Sequence, residues 1–518
     1  MIYSAVKNTP IQSRLLLDEL SVANTEHCTQ RFFQAVKDPA SPILKATEAW
    51  EGDGPYTWCS RMLYLPETNR YRMYYTAFEN DPYHYRWGMA ESEDGLNWVK
   101  PALYTTEYEG KKTSYCLQTE GFDLCKPIRT VAYDSRPECP AEERWKGMAF
   151  TYNGTFAFYS ADGIHWKAYS QNPIWRGTSD IIHVMWDEKL QKFVAYYKLW
   201  RLVAKEKDET SPEGVRPLDA LCVGFDIVPV DDEWSELVGV QLVHHHPHGS
   251  STTETRNIIV RVGNQSANDG GGGNLIGEWY TKRVVCRAVS DDFLHWTDDR
   301  MVMNVDELDR PDSNIQIAQV FTMGEYYLAF LTMHDQRGYF DQQLAFSQDG
   351  IHWKRPWRGN LIGRGACGEF DSGMVTAPVD PILMGSQMLI YYGGCTGDHA
   401  KHGEFSIGRA MLRRDGFACW SADNETALLE TTLWQSNADV LRLNVDAEAG
   451  WVTAALLDEN GCVIPGFTHE ECNRIRDDSA TWPDCFIPVT WHSGAMIPRG
   501  KIRIQLRFEN ASVYSIAI

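Results

Sequence analysis

Ser347-Gln348-Asp349-Gly350-Ile351-His352-Trp353 is one of five related stretches in this chain, and their repetition decides the fold. Asp-Gly supplies the positive φ angle that a two-residue hairpin needs, the serine caps the turn, and the tryptophan begins the next strand. The other copies run from Ser92 to Trp98, from Ser160 to Trp166, from Ser290 to Trp296 and, in a degenerate form, from Asp415 to Trp420. We interpret these residues as architectural.

The spacing of the copies indicates a repeat architecture. The final tryptophans are separated by 68, 130, 57 and 67 residues. Repeats of this length that are made of short strands are typical of propeller blades. The long second interval contains a polar stretch, about 205–277, which we interpret as a large insertion in blade three. The sequence therefore predicts an all-β protein with a five-bladed propeller over about 50–422.

Strand patterns on either side of each hairpin fit this interpretation. In blade one, aromatic and branched residues predict strands at Cys59 to Leu65, Tyr71 to Phe78, Tyr85 to Ser92 and Trp98 to Leu103. In the third blade, Lys192 to Trp200 and Val284 to Val289 are expected to be neighbouring strands on either side of the insertion.

Beyond the last copy, the pattern changes. Leu441, Leu443 and Val445 alternate with polar residues, which is the period of a half-buried strand, and similar alternation recurs near Val452 and Ile502. We predict a C-terminal β-sandwich over 423–518, either structural or an interface for homo-oligomer formation. Residues 1–49 are expected to be an N-terminal segment that packs on the propeller.

Composition restricts the partners. The chain has 518 residues, 43% of them hydrophobic, and a formal net charge of −21. Such a negative surface argues against nucleic acid and against anionic membranes. With no basic-then-apolar leader and no apolar run of membrane-spanning length, the expected location is the cytoplasm.

No cofactor or metal is expected. The 13 cysteines have no CxxC or zinc-type spacing. His244, His245, His246 and His248 invite a metal interpretation, but Pro247 interrupts them and no carboxylate or cysteine partner has a fixed spacing. We therefore expect a surface loop there.

Function has to come from residues at the propeller axis, because the fold by itself does not specify an activity. The first strand of each blade lines the central channel, and residues at or before its start face a funnel. The segments in that position are polar or charged. They are 51–58, 126–129, 178–183, 312–316 and 365–373.

This arrangement resembles the five-bladed propeller glycoside hydrolases, the group of arabinanases, β-xylosidases, invertases and levansucrases, and is most similar to an uncharacterised bacterial branch. Those enzymes place three acidic residues from different blades in the funnel. The invertase-type Trp-Met-Asn-Asp-Pro-Asn-Gly and Arg-Asp-Pro motifs are absent. In their place, Trp50-Glu51-Gly52-Asp53-Gly54 begins blade one, Ser179-Asp180 begins blade three and Gly368-Glu369-Phe370-Asp371 begins blade five.

The resemblance implies a glycosidase that cleaves oligosaccharides with paired carboxylates. Glu369 is the candidate acid, since a glutamate beside Phe370 could have its pKa raised by desolvation. Asp180 is the expected tuning carboxylate, Glu51 or Asp53 the base or nucleophile, and Asp371 an alternative acid. Turn capping is the competing role for Asp53, Asp180 and Asp371.

Further polar and aromatic residues suit a sugar site. The candidates for substrate binding are Trp50, Trp58, Arg129, His183, Gln316, Arg364 and His399. The tryptophans would stack on sugar rings, the arginines would hold hydroxyls or a carboxylate, and the others would hydrogen-bond. A funnel narrowed by the 205–277 insertion would favour exo action.

Three alternatives stay open. The Ser-x-Asp-Gly-x-x-Trp stretch also resembles the Asp-box of sialidases, although those enzymes have six blades and three arginines that we cannot place. A β-mannoside phosphorylase on five blades would need a basic phosphate pocket, for which Lys126, Arg129 and Arg364 are candidates. The third alternative is a carbohydrate-binding propeller without catalysis.

Overall fold

The computed structural model confirms the all-β class. Within the described residues the chain forms β-strands and three 3-10 helices, Ala49–Glu51, Ala141–Glu143 and Ser479–Thr481, with no α-helix and hence no helix able to span a membrane. The residues described are 3–4, 13–58, 60–80, 83–104, 107–113, 119–120, 128–151, 153–246, 251–261, 265–267, 274–276, 280–335, 337–376, 378 and 380–518.

The four main strands of each of the first two groups are antiparallel and follow the predicted order, and only the added Thr119–Glu120 pairs in parallel. In the first group, three of the four predicted strands are confirmed, and the fourth is reduced to a single bridge between Val99 and Glu91. The first group consists of Gly54–Tyr56, Met62–Leu65, Arg70–Asn80 and Tyr83–Ser92, joined by Tyr3–Ser4. The second consists of Thr130–Tyr133, Trp145–Thr151, Gly154–Ser160 and Trp166–Ala168, joined by Thr119–Glu120.

The third group contains the insertion. Lys192–Lys207 pairs with Tyr280–Ser290, which confirms the predicted pairing on either side of it. The group also contains Ile182–Asp187 and Thr297–Met303. The insertion adds Val215–Cys222, Asp226–Pro229, Trp234–His244 and Thr252–Arg261 to the same sheet. Two short hairpins lie outside these sheets. They are Glu107–Tyr108 with Lys111–Lys112, and Gln265–Ala267 with Asn274–Ile276.

The fourth and fifth groups share one eight-stranded sheet, because Phe340 pairs with Met374. The fourth group consists of Asn314–Met323, Tyr326–His334 and Phe340–Ser347. The fifth consists of Met374–Thr376, Ile382–Met384, Gln387–Cys395 and Phe405–Arg413. The outer strand of the fifth group is Val36–Lys37, which comes from the N-terminal segment.

Buried side chains link each group to the next. Separate apolar clusters lie between the first and second groups, the second and third, the third and fourth, and the fourth and fifth. A further cluster joins Met62 and Tyr75 of the first group to Ile382 and Tyr391 of the fifth. The five groups therefore follow one another in a ring.

The repeated hairpin turns have the architectural role predicted for them. The carboxylates of Asp94, Asp162, Asp292 and Asp349 each accept two backbone N–H groups of their own turn at 2.8 to 2.9 Å. Phe293 replaces glycine in the third copy and still takes a φ of 71°.

The C-terminal region forms two further sheets over one apolar core. One contains Ser13–Leu15, Thr29–Phe32, Ala418–Ala422, Arg442–Asp446, Ile487–Pro488 and Ala511–Ala517. The other contains Val22–Glu26, Ala427–Thr431, Trp434–Ser436, Trp451–Leu457 and Gly500–Glu509. Residues predicted to alternate, such as Leu443 and Val452, are buried in the core between them.

Two boundaries differ from the prediction. Ala418–Ala422, which the fifth hairpin copy assigned to the propeller, pairs with Thr29–Phe32 and Ala511–Ala517 in the C-terminal region. The N-terminal segment does more than pack on the strand groups, since it supplies strands to both C-terminal sheets and to the fifth group. Such pairings between distant segments leave no local signal in the sequence.

Candidate functional site

The first strands of the five groups meet at a common centre. Arg61 donates to the Val184 carbonyl oxygen at 3.1 Å and forms an ion pair with Asp380 at 2.7 Å, while Gln319 donates to the Ser60 carbonyl oxygen at 2.5 Å. These contacts join the first, third, fourth and fifth groups. We call the region around the starts of these strands the funnel.

Aromatic residues form the floor of the funnel. The rings of Tyr56 and Phe405 stack with centroids 4.6 Å apart, and Trp58 lies 6.2 Å from Phe340. The Trp58 side chain is 8% exposed, and its buried Nε1–H has no hydrogen-bond partner among the described residues. Trp58 thus keeps its predicted place at the funnel.

Asp53 lies at the funnel edge of the first group, in a turn clamped by backbone bonds. Its N–H donates to the Phe78 carbonyl oxygen at 2.7 Å, and its own carbonyl oxygen accepts the Phe405 N–H at 2.7 Å. Gly54 has a φ of 124°, and a Cβ there would lie 2.1 Å from the Phe405 oxygen. The turn therefore requires glycine, and it leaves the Asp53 side chain half-buried.

Asp180 lies at the start of the third group and is surrounded by cations. Lys198 Nζ lies 3.0 Å from its Oδ1, and Arg129 Nη1 lies 3.8 Å from its Oδ2. Arg129 also donates to the Asp180 carbonyl oxygen at 2.8 Å. The Asp180 side chain is 35% exposed, whereas both cations are almost fully buried. Asp180 and Arg129 therefore lie next to each other.

Lys198 and Arg283 extend this positive region. Burial lowers the pKa of Lys198, and the charge of Asp180 opposes that shift while those of Arg283 and Arg129 add to it. Arg283 packs over the Trp200 ring at 4.5 Å and contacts the Nδ1 of His334. The charged residues of the second and third groups thus influence one another, and Arg283 also contacts the fourth group.

Three histidines line the side of the funnel between the fourth and fifth groups. The rings of His334 and His399 are 5.0 Å apart, and those of His399 and His402 are 6.0 Å apart. Burial and the charge of Arg283 lower the pKa of His399 to about 3, while Asp180 opposes the shift. Burial also lowers the pKa of His402, against the charges of Asp398 and Asp53. The charge of Asp180 therefore acts on His399, and that of Asp53 acts on His402.

Gln316 keeps its predicted position in the fourth group. It is the extra residue of a bulge between Ile315 and Ile317, and it is 2% exposed. Its Oε1 has no hydrogen-bond partner among the described residues. Nearby, Asn314 Oδ1 accepts the backbone N–H of Arg283 at 2.9 Å, which joins the fourth group to the third.

Glu51 and Trp50 are not in the funnel, so their predicted catalytic and stacking roles are wrong. The Glu51 carboxylate is fully buried, pairs with Lys100 Nζ at 2.7 Å, and accepts the Thr47 N–H at 2.7 Å. Trp50 is 1% exposed and stacks on Tyr75 in the cluster that joins the fifth and first groups. Both residues stabilise the turn that presents Asp53.

The two acids predicted in the fifth group also differ from expectation. Asp371 is fully buried, forms an ion pair with Lys37 at 2.7 Å, and accepts the Tyr392 hydroxyl at 2.8 Å. Glu369 is exposed, and its Oε2 accepts the Ala366 N–H of its own turn at 2.9 Å. The apolar surroundings proposed for Glu369 are not present, so the argument for it as the acid fails.

His183 and Arg364 also have other roles. His183 is 1% exposed and its Nε2 lies 2.8 Å from the Val320 carbonyl oxygen, below the funnel, where it cannot contact a substrate. Arg364 packs over Tyr339 and pairs with Asp341 at 3.2 Å, on the loop side of the fourth group. His399, by contrast, lies in the funnel as predicted.

The sequence analysis missed several funnel residues. Lys198 and Arg283 lie within long strands, and His334 ends one. No local sequence pattern distinguishes them from ordinary strand residues. Only the pairing of Trp200 with Arg283, and that of Asn314 with His334, brings them to the funnel. Lys126, weighed for a phosphate pocket, lies outside the described residues.

The histidine-rich part of the insertion has separate partners. His244 pairs with Glu254 at 3.3 Å, His245 with Asp299 at 3.2 Å, and His246 Nε2 lies 3.0 Å from the Thr252 hydroxyl. In the part of the chain that the structure describes, no group of three or more His, Cys, Asp or Glu residues is placed to hold a metal ion. His248 is outside that part.

Comparison with known proteins gives matches of structure alone. No protein-family model matches the chain, and no curated protein matches it. A glycoside hydrolase aligns over 73% of this chain and 92% of its own, with 12% identity and a TM-score of 0.42. A thermostable family-43 glycoside hydrolase aligns over 73% of this chain and 92% of its own, with 11% identity and a TM-score of 0.37. The GH62 α-L-arabinofuranosidase catalytic domain of Coprinopsis cinerea aligns over 73% of this chain and 97% of its own, with 9% identity and a TM-score of 0.35.

Proposed function

We propose that this protein is a glycoside hydrolase that cleaves oligosaccharides in the funnel. The proposal includes a five-bladed propeller made of the five strand groups and a C-terminal β-sandwich that takes in part of the N-terminal segment. One observation carries it: Asp53 and Asp180, from different groups, each act on one of two histidines, His402 and His399, whose rings are 6.0 Å apart and pack on the aromatic floor. A pair of carboxylates and apolar ring faces is what glycosidic cleavage requires.

The surroundings of the two carboxylates suggest different roles. Lys198 and Arg129 next to Asp180 favour its charged form, which suits a carboxylate that attacks, activates water or stabilises positive charge on the sugar. Asp53 is the other carboxylate of the pair. We therefore assign Asp53 to proton exchange with the leaving oxygen, which reverses the role expected from the sequence.

The test is turnover by Asp53→Asn and Asp180→Asn. The panel consists of p-nitrophenyl glycosides and of arabino-, xylo- and manno-oligosaccharides. We expect each variant to lose about 10³-fold in kcat/KM on any substrate that wild type cleaves, since positioned acid–base groups contribute about 10² to 10⁴-fold. Asp162→Asn, in a hairpin turn far from the funnel, is the matched control. Equal turnover by wild type and both funnel variants would exclude the assignment.

A phosphorylase is a second candidate, favoured by the cations. Arg129, Lys198 and Arg283 are all buried at one side of the funnel and suit an oxyanion such as phosphate. A phosphorylase would need inorganic phosphate and release a sugar 1-phosphate, whereas a hydrolase would release free sugar without phosphate. If no sugar on the panel is turned over but oligosaccharides bind, the protein is a carbohydrate-binding propeller instead.

A further inference from the structure

A separate cavity of about 410 Å³ lies between the second strand group and the insertion of the third. Its volume is within the range of ligand pockets, roughly 300 to 1,000 Å³. Phe150, Asn153 and Arg176 line one wall, and Gln241, Thr253 and Thr255 of the insertion line the other. We call this cavity the insertion groove.

The insertion groove adjoins the funnel through the loop that carries Asp180. Thr178 lines the groove and lies two residues before Asp180 in the chain. Phe150, on the other wall, is at the end of the strand that pairs with the start of Thr130–Tyr133, which follows Arg129. The groove therefore lies at the same end of the second strand group as Arg129.

Close packing holds the loop against the insertion. Trp175 Nε1–H donates to Ser251 Oγ at 3.1 Å. Gly177 has a φ of 94°, and a Cβ there would lie 3.2 Å from Ser251 Oγ and 3.5 Å from Thr253 Cγ2. The insertion is thus built onto the loop next to Asp180, so that a ligand in the groove and a ligand in the funnel share one wall.

The lining suits a sugar. Hydroxyl, amide and guanidinium groups of Asn153, Arg176, Gln241 and Thr253 can bond to sugar hydroxyls, and the ring of Phe150 offers an apolar face. The groove has both kinds of contact, as oligosaccharide sites need.

We propose that the insertion groove binds the further sugar units of an oligosaccharide whose terminal unit lies in the funnel. This inference rests on the proposed glycosidase function. It predicts an exo-acting enzyme that prefers oligosaccharides of three or more units to short glycosides, because only longer chains reach from the Asp180 side of the funnel into the groove.

The experiment fills the groove by Thr255→Trp. Thr255 and Thr253 line the groove, whereas Thr252, on the same strand, contacts His246 and does not line it. Thr252→Trp is therefore the matched control. For each enzyme, kcat/KM is measured on p-nitrophenyl glycosides and on arabino-, xylo- and manno-oligosaccharides of two to five units. Binding of the same oligosaccharides is measured by calorimetry.

We expect the ratio of kcat/KM on the tetrasaccharide to kcat/KM on the aryl glycoside to fall about tenfold in Thr255→Trp, the effect of roughly one lost polar or apolar contact. The ratio should stay within about twofold of wild type in Thr252→Trp. Turnover that does not depend on chain length would contradict the sugar site in the groove, and so would an equal change of the kcat/KM ratio in both variants. Neither result would contradict the glycosidase function.

If wild type turns over no sugar, the glycosidase proposal fails. The calorimetric binding data then test whether the groove is a sugar site. Affinity that rises with chain length and falls in Thr255→Trp alone would still support a sugar site there. No measurable oligosaccharide binding to wild type would overturn it.

Discussion

The two ends of the strand groups differ in kind. At the hairpin end, four turns repeat the same bonds from an aspartate to two N–H groups, at 2.8 to 2.9 Å in every copy. At the funnel end, the groups contribute different residues, among them Asp53, Arg129, Asp180, Gln316 and His399. Repetition of the same contacts serves the packing of successive sheets, whereas chemistry at one centre requires unlike residues from each.

The funnel end is itself divided between structure and chemistry. Glu51 and Asp53 are two residues apart, yet Glu51 is fully buried against Lys100 and Asp53 is half-buried at the opening. An acid at the start of a first strand is therefore not evidence of catalysis until its exposure and partners are known. The following predictions test this division.

The largest effect on stability is expected from Lys100→Met. The variant leaves the Glu51 carboxylate buried without its cation, and such a loss costs about 3 kcal/mol of unfolding free energy. Urea denaturation measures it, with Lys112→Met, at an exposed lysine, as the control. A change below about 0.5 kcal/mol would show that Glu51 does not depend on this pair.

A smaller loss is expected when the repeated turn is strained. Gly350→Ala places a Cβ at a φ of 71°, 2.5 Å from the Tyr196 hydroxyl. Positive φ costs a non-glycine residue about 1 to 2 kcal/mol, and the contact adds to it. Gly110→Ala, at a φ of 75° with nothing within 4 Å, isolates the cost of φ. If thermal denaturation shows an equal loss of stability in both variants, the Tyr196 contact does not contribute to the loss.

The hairpin turns should also weaken in acid. Burial acts against the charged form of Asp162, but bonds from the His165 and Ile164 N–H groups outweigh it and lower its pKa to about 2. The ordinary value is about 3.9, so the stabilisation is present above about pH 4 and is lost as the pH falls through about 2.

Chemical denaturation between pH 5 and pH 2 should therefore show a shallower fall in stability for Asp162→Asn than for wild type. Asp312→Asn, outside the repeated turns, serves as the comparison. Parallel curves for wild type and Asp162→Asn would contradict the assignment.

The smallest effect is expected for Glu369→Gln. Its side chain is exposed and contacts its own turn, so stability should change by less than about 0.5 kcal/mol, and turnover should stay near that of wild type. A collapse of turnover comparable to that of Asp180→Asn would restore Glu369 as the acid.

The sequence was informative where the signal is local. The Asp-Gly turns, the alternation in Gly500–Glu509, and the pairing of Lys192–Lys207 with Tyr280–Ser290 are confirmed, since each depends on residues close in sequence or on a clear apolar pattern. The same local reasoning failed for Ala418–Ala422, whose turn resembles the others but whose partners are about 90 and 390 residues away.

By itself the sequence determined the all-β class, the repeated hairpins, the place of the insertion and the candidate acids near the starts of first strands. Only the tertiary structure decided which acids face the funnel, because Glu51 and Asp371 have the same local setting as Asp53 and Asp180 but are buried against Lys100 and Lys37. It also brought Lys198, Arg283 and His334 to the site. Burial and charge pairing depend on neighbours supplied by other strands, and local spacing does not encode them.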